Sequence, residues 1–350
     1  MTPEFRRLFG LDPEVQQSAP GRVYLIGDHT DYAEGFCLPM PLAHLTQVAM
    51  ARADSFRAAS LSNGETLSFN PSGAPKGDWT DYIAGPIAEL AKRGIVLPPV
   101  AVLVRSDVPQ GAGVSSSAAL EVAVIRAGLA LVGAAMTDVE VARAAQAAEN
   151  NYCGVQCGIL DQMASAVGRP GKALLLDCRT NEGRLVAVPP AFRFAVVHCG
   201  VGRRLVDGAY NARRAAVEEA ARLLGLRSLR DATASDIASL PDGEVRRRAR
   251  HVVGENARVL AAVAALEAGD PRRFGALMTE SHYSLAGDYD VSTEALDRLV
   301  ESANAAGAYG ARLTGAGFGG CIVTLIPPGE AEGWWAKVKA ANPQSWTVQL

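Results

Sequence analysis

Val108-Pro109-Gln110-Gly111-Ala112-Gly113-Val114-Ser115-Ser116-Ser117-Ala118-Ala119 is a glycine-rich, then serine-rich loop that runs straight into an apolar, Ala-rich stretch ending at Leu131. Ahead of it, Val100-Ala101-Val102-Leu103-Val104 has the length and β-branching of a buried strand. Strand, small-residue loop and helix N-terminus together make a phosphate cradle. Glycines let the backbone approach an anion closely, and the unpaired N–H groups of a first helical turn point at it. Three consecutive hydroxyls add donors and a potential metal ligand. No Gly-Lys-Ser/Thr follows, so the loop is not a Walker A sequence. Gly111 and Gly113 lack a third glycine at the spacing of a dinucleotide fingerprint. A plain Gly-Ser linker or helix cap is the competing reading, but a linker needs neither the strand before nor the long apolar helix behind.

Working outward, 350 residues suggest about two domains. A chain that is 49% hydrophobic and 20% charged can bury a sizeable core. Its net charge of -3 gives no electrostatic reason to bind nucleic acid or an anionic membrane. The one basic cluster, Arg246, Arg247, Arg248 and Arg250, lies in a predicted helix with Glu244 and Glu255 and reads as a solvated face. Residues Met1 to Pro20 hold no apolar core of signal-peptide length, and no stretch approaches a membrane span, so a cytoplasmic protein is expected. Cys37, Cys153, Cys157, Cys178, Cys199 and Cys321 are scattered and read as free thiols. Cys153 and Cys157 have no neighbouring Cys or His pair in sequence to complete a zinc site.

Predicted strands cover Gly21–Leu25, Thr46–Ala51, Val100–Val104, Lys172–Asp177 and Arg193–Cys199. Predicted helices cover Trp79–Gly94, Ala118–Leu131, Tyr210–Leu224, Glu244–Ala268 and Thr293–Ala306. Tyr309–Ile326 reads as two strand-like runs around a second glycine-rich segment. Turn residues Asn181–Gly183 mark a boundary between domains of residues 1–183 and 184–350. Helices and strands alternate without the repeat of a barrel, which predicts a two-domain α+β architecture.

Three more segments carry chemistry. Asp28-His29-Thr30-Asp31 leaves an apolar strand through Gly27, and four adjacent hydrogen-bonding side chains suit a polyhydroxylated ligand. Alone, an acidic surface turn explains them better than a site does. Asp161 precedes the helical Met163-Ala164-Ser165-Ala166, and taken alone it reads as an N-cap. Leu313-Thr314-Gly315-Ala316-Gly317-Phe318-Gly319-Gly320-Cys321 is compatible with a tight hairpin turn.

Taken in order, these motifs resemble those of the GHMP small-molecule kinases, and the full pattern resembles the galactokinase family. Arg22 to Tyr32 is close to that family's Gly-Arg-Val-Asn-Leu-Ile-Gly-Glu-His-Thr-Asp-Tyr signature. Trp79-Thr80-Asp81-Tyr82 with Gly85, Cys157-Gly158-Ile159-Leu160-Asp161-Gln162, Ser281-His282-Tyr283-Ser284-Leu285 and Tyr309-Gly310-Ala311-Arg312-Leu313-Thr314-Gly315 extend the likeness from about Ala19 to the C-terminus. The resemblance implies a two-domain GHMP kinase fold with its site in the cleft between domains. It implies ATP, Mg²⁺ and phosphorylation of a sugar's anomeric hydroxyl, D-galactose foremost.

Carried over by position, Gly111, Ala112, Gly113, Val114, Ser115, Ser116 and Ser117 would hold the ATP phosphates, and Ser117 and Glu149 the Mg²⁺. Asp161 would face the C1 hydroxyl with Arg22 beside it. Asp28, His29, Thr30, Asp31, Gly158 and Tyr210 would hold the sugar, and the glycines from Gly315 to Gly320 would support the phosphate loop. Sugar and ATP are then the partners of a monomer. A carboxylate beside an arginine is a weak base. The loose transition state of phosphoryl transfer tolerates that, because the nucleophile's proton leaves late and positioning dominates.

Three departures stand out: Asp28 where the family has Glu, Tyr24 where it has Asn, and Ala33-Glu34 where it has Asn-Gly. The family's Glu reaches the sugar's C6 hydroxyl, so the departures bear on sugar identity. A kinase for another galacto-configured sugar such as L-arabinose is the first alternative. A sensor that has lost turnover is the second, and the complete serine loop with Asp161 and Arg22 argues against it.

Overall fold

Two compact units build the chain, and neither is one continuous stretch. Unit 1 comprises Met1–Arg22, Pro41–Pro109 and Ser115–Gly168; unit 2 comprises Val23–Met40, Gln110–Val114 and Arg169–Leu350. The computed structural model describes residues 1–155, 157–202 and 207–349.

Unit 1 holds α1 (Thr2–Phe9), β1 (Val15–Ile26) up to Arg22, β2 (Phe36–Arg52) from Pro41, β3 (Arg57–Ser60) and β4 (Thr66–Ser68), followed by α2 (Asp81–Lys92), β5 (Val100–Ser106), α3 (Ser116–Val132), α4 (Asp138–Asn151) and α5 (Leu160–Val167). β5 is the predicted strand before the loop. It pairs antiparallel with β2 (Val48 opposite Val104) and parallel with β3 (Ala58 opposite Val102). Val100 to Val104 are buried on both faces, which is why the sequence shows an apolar run there and no alternation. Gly10 ends α1 in the left-handed conformation, and the helix buries Phe5 and Phe9 against Ala49, Ala51 and Leu103. Each buried ring contributes about 1.5–3 kcal/mol relative to exposure. Apolar almost all round, α3 is correspondingly buried almost all round. Thr137 and Glu140 form a reciprocal capping box at the start of α4.

Unit 2 continues with β6 (Lys172–Asp177), β7 (Glu182–Ala187), β8 (Arg193–His198), α6 (Asp207–Leu223) and α7 (Ala234–Ser239), then α8 (Glu244–Glu267), α9 (Pro271–Gly287), α10 (Glu294–Ala305), β9 (Gly310–Thr314), β10 (Cys321–Ile326), α11 (Ala331–Ala341) and β11 (Trp346–Gln349). The turn residues Asn181–Gly183 connect the antiparallel pair β6 and β7. An antiparallel sheet runs β11-β8-β10-β9, with Val323 of β10 between Val196 and Arg312. Helix α9 lies so close to β9 that a Cβ on Gly310 would sit 1.8 Å from the Gly275 carbonyl oxygen, so two glycines are required where helix and strand cross.

In the arginine cluster of α8, Arg247 and Arg250 are exposed as charge patterning predicts, but Arg248 turns away from the solvated face. Arg248 is 2% exposed. Its guanidinium donates to the Asp288 carbonyl at 2.5 Å and to Glu244 and Asp290, so it satisfies an acceptor at the end of α9. Arg246 and Arg250 pair with Asp242 and Asp288 at the surface. The α+β class expected from the alternation of elements is the class observed, and no helix among the described residues is long and apolar enough to cross a membrane.

Candidate active site

In unit 1 the serine loop, the end of β1 and the start of α5 converge on one carboxylate. Arg22, on β1, donates from Nε to Asp161 Oδ1 at 2.8 Å and from Nη2 to Oδ2 at 2.7 Å, a bidentate grip. Ser115 donates its hydroxyl to the same Oδ2. Asp161 lies in the first turn of α5, while the N-cap is Ile159 and makes no side-chain cap. The carboxylate is therefore turned to the arginine and the serine rather than to its own helix. Arg22 is buried, and Asp161 keeps 29% of its side chain exposed, so the acid remains reachable.

Ser115 departs from ordinary helix chemistry. It is the N-cap of α3, yet it sits at φ 58° in the left-handed region and makes no cap bond, because its hydroxyl is on Asp161. A non-glycine residue is uncommon there, and such conformations gather at functional sites. The first turn of α3 holds no acidic side chain, which leaves its N–H groups open to an anion.

Glu149, near the end of α4, is 7% exposed. Burial raises its pKa and the nearby Asp161 charge raises it further, while hydrogen bonds from Cys157 and Ser117 oppose the rise. Ser117 Oγ and the Glu149 carboxylate are thus adjacent hard oxygen donors beside a second carboxylate. That donor set fits Mg²⁺, which takes one or two protein oxygens and leaves the rest of its shell to water and phosphate. Gly158 stands two residues ahead of α5, half-buried.

Unit 2 holds the signature loop and both glycine-rich segments. Gly27 has φ 98°, and a Cβ there would lie 2.8 Å from Cys37 Cα, so only glycine makes this turn. Thr30 closes the turn from inside, donating to the Gly27 and Phe36 carbonyls. Asp28 is 2% exposed. Its Oδ1 accepts from the Gly315 N–H at 2.7 Å, and its Oδ2 lies 2.6 Å from Arg312 Nη1. His29, also left-handed at φ 63°, donates from Nε2 to the Ala316 carbonyl at 3.2 Å and accepts from Tyr32 Oη at Nδ1, 2.9 Å; Tyr32 bonds in turn to Tyr289 Oη. The donor and acceptor roles follow from Ala316 O, which only accepts. Tyr210, on α6, places its ring 5.8 Å from that of His29 and 5.9 Å from that of Tyr32. Asp31 opens a short 3-10 turn in the same loop.

The segment Gly315–Gly320 packs against the phosphate loop. A Cβ on Gly315 would be 3.2 Å from Gly113 O, and one on Gly320 would be 3.2 Å from Ala112 O. Below the loop Glu255 is fully buried, accepting from the Gly27 N–H, Ser281 and Arg258. Burial works against its charge, but Arg258 and Arg312 outweigh burial and hold its pKa at about 2.

Sequence reasoning placed Ser115 on the phosphates and gave no role to Arg312, Glu121 or Gln162. The signal for Glu121 was present, since it is a lone carboxylate within the apolar run Ala118 to Ala123. Arg312 lies inside a quoted motif, and a charge in the middle of a predicted buried strand demands a partner.

Comparison with known proteins identifies the family. Residues 81–169 match the GHMP kinases N terminal domain, residues 262–344 match the GHMP kinases C terminal domain, and residues 3–52 match the galactokinase galactose-binding signature. The chain is 45% identical over 343 residues to a galactokinase of Roseiflexus sp. (strain RS-1), covering 94% of this chain and 87% of that protein. Its structure is similar to that of Lactococcus lactis galactokinase complexed with galactose, with a TM-score of 0.92, 30% identity and coverage of 100% and 97% of the two chains. Methanococcus jannaschii mevalonate kinase shares the fold at a TM-score of 0.74 and 18% identity, covering 93% of this chain and 95% of that one.

Proposed function

The chain belongs to the galactokinase family of GHMP kinases, and from that premise we propose that it transfers the γ-phosphoryl group of ATP to the C1 hydroxyl of D-galactose, giving galactose 1-phosphate and ADP. The observation that carries the reading is Asp161 held by Arg22 through two hydrogen bonds and by Ser115 through a third, at the start of a helix.

In this reading Asp161 accepts a hydrogen bond from the sugar's C1 hydroxyl, orients it, and takes its proton late in the transfer. Fixing the nucleophile is the larger contribution, because the loose transition state leaves little bond-making for a base to assist. Arg22 stabilises charge that develops on the transferring phosphoryl group. Residues Gly111 to Ser117 hold the phosphates, with the N–H groups of α3 supplying donors. Ser117 and Glu149 are the residues for Mg²⁺, which neutralises phosphate charge when bound.

For the sugar we assign Asp28, His29, Thr30, Asp31 and Tyr210 of unit 2 and Gly158 of unit 1. Among them Thr30 works by closing the signature turn, and Asp28 by joining that turn to Gly315 and Arg312. The same observation favours a second substrate. A carboxylate already engaged on both oxygens reads the C6 hydroxymethyl weakly, so L-arabinose, the galacto-configured pentose lacking C6, is accepted too. ADP release measured over a panel of sugars tests both readings. Turnover of galactose no faster than buffer overturns the enzyme reading.

A further inference from the structure

Behind Glu149 lies a buried polar row that phosphate chemistry does not itself require. Gln162 follows Asp161 in α5 and is 0% exposed. Its Nε2 donates to Glu149 Oε2 at 2.6 Å and lies 3.6 Å from Cys157 Sγ. Beside the amide sits Glu121, four residues beyond Ser117 and so on the same face of α3, also 0% exposed. The Gln162 amide is also within hydrogen-bonding reach of the Glu121 carboxyl, and Gln162 Oε1 and both Glu121 oxygens make no other hydrogen bond among the described residues.

Orphaned polar atoms in a buried site need a reason. The Gln162 amide, placed between Glu121 and Glu149, supplies it here. Burial, then the charge of Glu149, raise the Glu121 pKa well above the usual carboxylate range, and the hydrogen bond with Gln162 opposes part of that rise. Since the amide is planar, contact with Glu121 restricts its orientation, and its nitrogen is on Glu149. A neutral amide also grips the carboxylate without cancelling its charge, as a lysine or arginine there would.

We propose that Gln162, seated on Glu121, is the positioning residue that turns the Glu149 carboxylate toward Ser117 and so sets how tightly the enzyme holds the divalent cation of its nucleotide. The inference rests on the reading of Ser117 and Glu149 as the cation's protein ligands. Loss of a hydrogen bond behind a metal ligand lowers metal affinity by roughly 10–100-fold.

The test is Gln162→Met, which has similar length and volume and no donor. Binding of a non-hydrolysable ATP analogue is followed by calorimetry over a Mg²⁺ titration, and ADP release is followed over the same range. The variant is expected to need roughly 10–100-fold more Mg²⁺ in both assays. At saturating Mg²⁺ its kcat should return to within a few-fold of wild type, a recovery that a merely structural lesion does not give. Analogue affinity without Mg²⁺ should stay unchanged. Should Gln162→Met melt below the assay temperature, Gln162→Asn retains the amide on a shorter arm and reads the same quantity. An unchanged Mg²⁺ requirement in a variant, against a wild type that responds to Mg²⁺, overturns the role of Gln162. A wild type whose analogue binding ignores Mg²⁺ overturns the ligand reading of Ser117 and Glu149 instead.

Discussion

Arg22 and Asp161 are 139 residues apart in sequence and meet in a two-point grip, at 2.8 and 2.7 Å, in which each carboxylate oxygen has its own guanidinium nitrogen. Such a grip fixes the carboxylate's plane as well as its position. Substituting Asp161 by Asn keeps the shape but removes the charge and the proton acceptance. Turnover in Asp161→Asn is expected to fall by about 10²–10⁴-fold, while the thermal shift on adding galactose stays near wild type. Near-normal turnover in the coupled ADP assay would show that the acid only shapes its helix.

The sugar's C6 group provides a second test. With Asp28 held by Arg312 and Gly315, the wild type is expected to prefer galactose over L-arabinose by less than about tenfold, since a full hydrogen bond to a charged acceptor is worth roughly 1.5–3 kcal/mol. Asp28→Glu adds a methylene and should raise that preference. The quantity to compare is the ratio of kcat/KM for the two sugars. A wild-type ratio above a hundred would mean that C6 is read strongly here by Asp28 or another group.

Arg312 is 0% exposed, 2.6 Å from Asp28 and 3.7 Å from Glu255. Removing the cation takes the ion-pair partner from Asp28 and leaves Glu255 with Arg258. Breaking a buried pair in this way costs about 3–5 kcal/mol. Urea unfolding of Arg312→Met should register a loss of that order. A change below 1 kcal/mol, on the same scale, would mean that Arg258 alone balances the cluster.

Stability should also depend on pH through two buried imidazoles. Burial lowers both His251 and His282 from 6.5 to about 4. Around His251 stand Glu255, Arg258 and Arg312, and its ring nitrogens bond Ser284 and the Asp28 carbonyl. Above pH 6.5 this contribution to stability is whole. As pH falls from there toward about 4, the unfolded chain binds protons that the folded one refuses, and the contribution drains away. Glu255, held at about 2, adds a further loss as pH falls below 4.5. Replacing His251 by Gln, which retains a donor for the Asp28 carbonyl, should flatten the slope of unfolding free energy near pH 5 by about 1.4 kcal/mol per pH unit. An unaltered slope in urea titrations would place the His251 pKa near its ordinary value.

How much of this was legible in the chain follows from which interactions are local. β5, the loop and α3 declared themselves because strand, glycines and helix are neighbours in sequence. The short strands β3 and β4 did not, since four and three residues carry too little periodicity. Helix α9 escaped notice although Asp270-Pro271 is an N-cap followed by proline at the first helical position. The candidate site residues and the pairing of Arg22 with Asp161 came from motifs, but the other partners did not. Nothing in the sequence joins Ser115 to Asp161 or Arg312 to Asp28, because each bond closes a loop whose course only packing decides.

The division of the chain into interleaved pieces bears on its synthesis. Val23–Met40 and Gln110–Val114 leave the ribosome early, yet they belong to a unit whose remaining chain is residues 169–350. At roughly 5–20 residues per second those residues take about 10–40 s to emerge. For that interval the signature turn and the glycines of the phosphate loop lack the strand and helices that hold them, including Arg312 and Glu255. Nor does any single cut release two halves that each hold a complete unit, so a nick at one exposed loop would not free a working domain.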